Sequence, residues 1–387
     1  MALDLKVIER GSSVASAYCG RLLGMLGADV VKVEPPGGDR MRDSHPRATD
    51  VDGVERSTLF EYLNCFKRSV VVDEATPAGA EEIANLVAGA DVVIDHVDGD
   101  VERALADAEA ARARNPRIVY LALSGFGLTG PYKSYKSNEF IDFATGGYTG
   151  ITGSPDREPL QGGGPWGGYA HGLTGAIGVL AAVRTAQTTG QGQLVDVGAM
   201  EAIATLHQWS MTLYTHQGVV KRRAGNMHAE SYNPMGPVEC GDGWVSVGVA
   251  SAQQWEGFTL AIDRPELLAD DRFQTGGDRV DHAEALAEII GPALMALTAS
   301  ELTSQLQEFH VPASPVLTVA EVLEEAQLHA REFWVRSDRF GDTARMPERA
   351  FRVPGLDAPF TPAPEAGADT AAVLAEATDT TNKGAAR

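Results

Sequence analysis

Residues 160–183, LQGGGPWGGYAHGLTGAIGVLAAV, set Gly162, Gly163, Gly164, Gly167 and Gly168 directly ahead of an apolar run with helical spacing. Glycine accepts positive φ and lets a ligand or a second backbone come close. A helix start adds unpaired N–H groups at the positive end of its dipole. Such a junction suits an oxyanion, a thioester carbonyl or a catalytic carboxylate. The loop itself has no carboxylate, and its one nearby titratable group is His171, at the predicted helix start. Histidine can serve as general acid or base. Without a partner it does not meet the geometry of a catalytic pair, and a surface or satisfied core histidine is the commoner case.

Four other stretches carry chemistry-bearing residues. SGFGLTGPY (124–132) has a GxGxxG spacing, with Gly125 and Gly127, straight after a predicted strand. A dinucleotide fingerprint would continue into an apolar helix, whereas Pro131 and a polar YKSYKSNE follow, so a ligand-lining loop in another α/β fold fits better. EPPGGDRMR (34–42) ends in Arg40 and Arg42, and FKRS adds Lys67 and Arg68. Forked guanidinium and mobile ammonium groups suit phosphate capture, and a solvated loop is the bland alternative. Glu139 and Asp142, three apart in KSNEFIDF, share one helix face. A solvated face is the plain reading, but this helix opens toward the SGFG loop. Cys19, Cys65 and Cys240 are too far apart for a disulfide framework and have no metal-ligand spacing, so buried, reduced thiols are expected. GxSxG, HExxH and P-loop motifs are absent from the chain.

The elements that must position these residues alternate in the first half. Strands are predicted at LKVIER, ADVVKVE, KRSVVVD, ADVVIDHV and RIVYLALS. Helices are predicted at 14–27, 78–89 and from VERALADAEAARARN. This β–α alternation predicts a doubly wound parallel sheet. Residues 172–186 and 198–217 read as longer helices, the second apolar almost all round and so buried or at a subunit interface. Beyond 225, short strands with Pro/Gly punctuation and further helices predict a smaller α+β domain. The large domain is then 1–224 completed by 326–360, the small one 225–325, and the Ala/Pro/Thr-rich 361–387 a partly disordered tail.

At 387 residues, 44% of them hydrophobic and 22% charged, the chain has the composition of a two-domain globular protein. A net charge of −21 argues against nucleic acid, which demands clustered Lys and Arg. No apolar run reaches membrane-spanning length and the N-terminus lacks a signal-peptide pattern, so cytoplasm is expected.

Nine stretches, in order, resemble the class III CoA-transferases, a family that includes carnitine/crotonobetaine and formyl-CoA transferases and α-methylacyl-CoA racemase. They are LLGMLGADVVKVEPPGGDRMR, LNCFKRSVVVD, NPRIVYLALSGFGLTGPY, AIGVLAAV, TGQGQLVDVGAMEA, RAGNMH, CGDGWVSV, DRPELLADDRF and PASPVLTVAEVLEE, spanning about residues 5–358. The resemblance implies a Rossmann-like large domain, a small domain, and two protomers threaded like rings. It also implies coenzyme A esters as substrates, no metal, and an aspartate that carries acyl and then CoA on the way to a carboxylic acid acceptor. That aspartate falls on Gly168, or on Gly167 with the racemase branch as guide. The racemase histidine falls near Asn138, and a CoA-contacting arginine falls on Asp98. Arg42, Lys67, Arg68, Gly125, Gly127, Gly167 and Gly168 remain as expected CoA-binding positions, with His171 and Glu139 as weak catalytic candidates. The expectation is a homodimer or, more specifically, the aspartate-lacking subunit of a heteromer of the benzylsuccinate CoA-transferase kind. Two rivals stay open: a CoA-ester racemase or isomerase of altered chemistry, and a scaffolding paralogue independent of CoA.

Overall fold

The structure is a computed structural model and describes residues 3–226, 232–341, 344–356 and 359–385. The end of the RAGNMH stretch and the last two residues of the tail lie outside that range. The chain divides into two compact units, one of residues 1–148, 161–219 and 331–387, the other of 149–160 and 220–330.

The larger unit is built on β1 (Lys6–Arg10), α1 (Val14–Met25), β2 (Asp29–Glu34), β3 (Lys67–Val71), α2 (Pro77–Ala88), β4 (Val92–Val97), α3 (Val101–Arg114) and β5 (Val119–Ser124). These are followed by α4 (Glu139–Thr145), α5 (Trp166–Thr189), β6 (Leu194–Gly198), α6 (Ala199–Leu206) and α7 (Gln208–Gln217). Six of its strands form one parallel sheet in the order β3-β2-β1-β4-β5-β6. Both faces are covered, which is why the strands read as nearly unbroken apolar runs. Val7, Val30, Val92 and Leu121 point to the α1/α5 side, and Ile8, Val31, Val93 and Tyr120 to the α2/α3 side. The order of successive strands reverses between β1 and β4, so a crevice opens at their carboxyl ends, where open α/β sheets take ligands.

Local chemistry sets the helix ends. The Ser13 hydroxyl caps α1 by accepting the Ser16 N–H, and Thr76 caps α2 ahead of Pro77. Gly190, in the left-handed region at φ 74°, closes α5. Three expectations shift. Helix α5 begins at Trp166, six residues earlier than its apolar pattern; Gly167 and Gly168 are helical, Gly168 packing close against Val14 of α1 and Gly167 against Ile203 of α6. The predicted helix 198–217 is two helices meeting at His207, and α7 buries none of its residues. The tail is structured over Thr370–Ala385. Alanine favours helix, and Val373 is buried against the sheet-side cluster with Leu374 and Ala377 beside it.

The smaller unit holds an antiparallel sheet of β7 (Met235–Cys240), β8 (Gly243–Gly248) and β9 (Ala313–Pro315), with β8 central. Helices Ala252–Ala261, Ala283–Met295 and Ala299–Glu308 cover it through Phe258, Leu286, Ile290, Leu302 and Leu306. No single described helix is long and apolar enough to cross a membrane.

Candidate functional site

A cavity of about 210 Å³ opens at the carboxyl ends of β1, β4 and β5, within the larger unit. Its walls come from the loop into α1 (Ser12, Ser13), the end of β4 (His96, Asp98), the SGFG turn, the start of α4, and Gly168 and His171 on α5. The sheet order makes this the switch point, so the position follows from topology.

Some expected residues meet here. Gly125 lines the cavity, and a Cβ on it would lie 2.4 Å from the Cβ of Ser137, so only glycine lets the α4 lead-in close over the turn. Glu139 and Asp142 both face the cavity. Burial pushes the Glu139 carboxyl up to about 7, an accepted Gly167 N–H opposes this, and the Asp142 charge adds to it. Burial likewise raises Asp142 to about 6, although the Ser137 hydroxyl donates to it. Asn138 caps α4, its Oδ1 accepting the N–H groups of Phe140 and Ile141.

Gly168 lines the cavity, but its place is crowded. A Cβ there would lie 2.9 Å from both Cβ and Cγ1 of Val14. One turn on, a Cβ on Gly172 would meet the Ala15 carbonyl at 2.5 Å. These glycines serve the close packing of α1 on α5. His171 is buried, with Nε2 2.9 Å from the Val197 carbonyl, and desolvation lowers its pKa to about 4. It is a neutral, backbone-tethered core histidine near neutral pH.

The expected phosphate-binding cations lie elsewhere. Arg42 forks onto Glu34 at 2.7 and 2.6 Å and stacks over Phe60. Lys67 is buried, with Nζ 2.7 Å from Glu9 and donating to Ala17 O and Asn64 Oδ1. Arg68 bonds to Asp29 at 2.6 and 2.9 Å and to Glu376. None lines the cavity. Each guanidinium or ammonium has an acid partner within this chain, so in this structure the three cations tie neighbouring elements together. Gly127 is also outside the lining. Its N–H goes to Ser124 Oγ at 2.8 Å, and the next N–H, of Leu128, goes to Asp196. Asp98 lines the cavity and pairs with Lys136 at 3.1 Å, so its charge is partly offset.

Arg40, the first arginine of the 34–42 stretch, does line the cavity, while donating to the Ser12 carbonyl at 2.9 Å. One cavity group, His96, carries no motif in the sequence. His96 has a buried Nδ1 without a hydrogen-bond partner, and burial lowers its pKa. Its signal was a polar side chain closing a buried strand at the switch point. Beneath the site, Lys32 joins Glu9 at 3.0 Å to Asp39 at 2.6 Å, and Asp39 accepts from Ser12. That buried chain of charges fixes the β1–α1 loop. Among the described residues no group of three His, Cys, Asp or Glu side chains is placed to hold a metal ion.

Residues 3–370 match CoA-transferase family III. Succinyl-CoA:mesaconate CoA-transferase of Haloarcula marismortui is 32% identical, over 97% of this chain and 99% of its own. The beta subunit of succinyl-CoA–L-malate CoA-transferase of Chloroflexus aurantiacus is 31% identical, over 89% of this chain and 85% of its own. A crystal structure of a CAIB/BAIF family protein from Brucella suis superposes with a TM-score of 0.85 at 31% identity, covering 97% of this chain and 99% of that one.

Proposed function

This chain belongs to CoA-transferase family III, and from that membership we propose that it takes part in moving CoA from an acyl-CoA thioester to a dicarboxylic acid. The observation that carries the reading is the cavity at the sheet's switch point, polar and lined from β1, β4, β5, α4 and α5. The dicarboxylate class is supported by relatives whose names carry succinyl-CoA with mesaconate or malate. Arg40 is the cation placed at the cavity for an anionic group.

We further propose that the chain works as the aspartate-lacking member of a heteromer. Gly168 stands where the resemblance implies the nucleophile, and Val14 fills the space a side chain there would need. One relative is itself named as a subunit. Leu206, Trp209, Met211 and Tyr214 on α6 and α7, with Leu173 and Ile177 on α5, are all exposed. An apolar face of this extent is the mark of a protein–protein contact, and a partner threaded through the chain as a second ring would cover it. Proton transfer through His171 has little support, because its Nε2 is tied to a carbonyl.

The test is purification of the chain alone and with an aspartate-bearing homologue, each assayed for CoA transfer from succinyl-CoA to mesaconate and malate. Transfer by the pair that far exceeds the chain alone supports a heteromer. Absence of transfer in both preparations overturns the CoA-transferase reading.

A further inference from the structure

The absence of a carboxylate at 168 does not leave the cavity without one. Helix α4 brings Glu139 in from the opposite wall. Its Oε1 and Cγ each lie 3.9 Å from where a Cβ on Gly167 would stand. The Gly167 N–H, in the first turn of α5, lowers the Glu139 pKa against the effect of burial. Glu139 therefore sits beside position 167, one of the two at which a nucleophile is implied. The other cavity carboxylates are engaged: Asp98 with Lys136, and Asp142 with the Ser137 hydroxyl.

We propose that Glu139 is a catalytic nucleophile of this chain's own site, a carboxylate that takes up acyl and then CoA from the opposite wall of the cavity. The proposal rests on the CoA-transfer reading and extends it, since a heteromer would then hold two working sites of different carboxylates.

The chemistry balances without a metal or an oxidant. A Glu139 oxygen adds to the thioester carbonyl carbon. The C–S bond breaks with its electron pair on sulfur, leaving a mixed anhydride and CoA thiolate. The thiolate attacks the Glu139 carbonyl carbon, the anhydride C–O bond breaks, and the donor acid leaves as its carboxylate. The acceptor carboxylate then attacks the glutamyl thioester and releases thiolate. The thiolate attacks the acceptor's carbonyl carbon and frees Glu139. No net proton is taken up. Splitting the transfer this way is the usual gain of covalent catalysis.

Glu139 must be ionised to attack. The groups that face it are Asp142 on its own helix and Tyr169 on α5, with His96, Asp98 and Arg40 around the same cavity. Adduct formation should therefore rise with pH through about 7 and level off about a unit above that. An ordinary glutamate would already have levelled off near pH 5, about a unit above its usual pKa of about 4.3.

A purely structural Glu139 would cap α5 by accepting the Gly167 N–H, and Pro165 supplies no side-chain cap there. Glu139→Gln separates the two roles, because its amide oxygen still accepts that N–H while losing the nucleophile. The experiment incubates the purified chain alone, and the chain with its homologue, with succinyl-CoA, then follows intact mass and peptide mapping across pH 5–9. Expected is a CoA adduct, heavier by CoA less one water, on the peptide carrying Glu139. In Glu139→Gln it falls by roughly 1,000-fold or more with the thermal melt little changed. No adduct on the chain, an adduct on another residue, or an undiminished adduct in Glu139→Gln overturns the proposal. If transfer by the pair persists in any of those outcomes, the CoA-transfer reading stands while Glu139 falls. If no preparation transfers CoA, that reading falls too.

Discussion

Restoring a carboxylate at 168 should require a second change across the helix interface. A Cβ on Gly168 meets Val14 Cβ and Cγ1 at 2.9 Å, closer than carbon atoms pack, so Gly168→Asp forces α1 and α5 apart. Overpacking of this kind costs about 1–3 kcal/mol. Against it stand about 0.3 kcal/mol from replacing a helical glycine and about 0.3–1 kcal/mol from an acid in the first turn. The single variant should lose about 1 kcal/mol. Val14→Ala alone removes two half-buried methyls and loses at most about 1.5 kcal/mol. In the double variant the clash is gone, so the coupling energy should be about 1–2 kcal/mol in the stabilising direction. Urea unfolding of the four proteins measures it. Additivity within about 0.5 kcal/mol would show that Val14 does not hold the place of a side chain at 168, and the packing argument would fail. The double variant should also transfer CoA from succinyl-CoA faster than Gly168→Asp alone.

Three further outcomes follow from the same geometry. His171, held neutral with a pKa near 4 against about 6.5 unfolded, makes the unfolded chain the better proton binder between those values. Stability is then full above pH 6.5 and falls by on the order of 3 kcal/mol as pH drops to 4; urea titrations of His171→Gln should lose most of that slope. Lys67→Met leaves Glu9 with Lys32 as its remaining ion partner. Unfolding should show a loss of about 3–5 kcal/mol with CoA affinity by calorimetry unchanged, whereas a phosphate contact would weaken binding. Trp209→Glu with Tyr214→Glu puts charge on the exposed α7 face. Sedimentation should show the assembly dissociating to single chains, and an unaltered assembly would remove that face from the interface.

The fold was legible because parallel strands covered on both faces have a plain signature: VVKV, DVVID and IVYLALS are apolar runs with helical segments between them. The start of α5 was not, since Gly167 and Gly168 disfavour a helix in isolation, and the packing of α1 on Gly168 and of Ile203 on Gly167 appears in no local pattern. The ion pairs of Arg42 and Lys67 were not legible either. Cations after a strand resemble a phosphate site; no local pattern marks Glu34, eight residues before Arg42, as its partner, and Glu9 reaches Lys67 only through the fold. His96 carries no local motif, because the switch point that gives it its position depends on strand order.

Gly168 and Val14 are best understood as one feature. If residue 168 had only lost a carboxylate, the first turn of α5 would border open space and the cavity would be larger there. Instead a β-branched side chain at the start of α1 stands 2.9 Å from the Cβ position, so the wall has closed. A closed wall on the α5 side moves the reacting carbon of any bound thioester toward α4. That is the side on which Glu139 stands, burial-shifted into the range where a carboxylate is sensitive to what binds beside it. A shorter acid at the same position should fall short of that carbon: Glu139→Asp is expected to bind succinyl-CoA with unchanged affinity and to form adduct at least ~10-fold more slowly, the penalty of a 1 Å misplacement or more. Equal rates in the two proteins would mean that the carbonyl does not sit against α4.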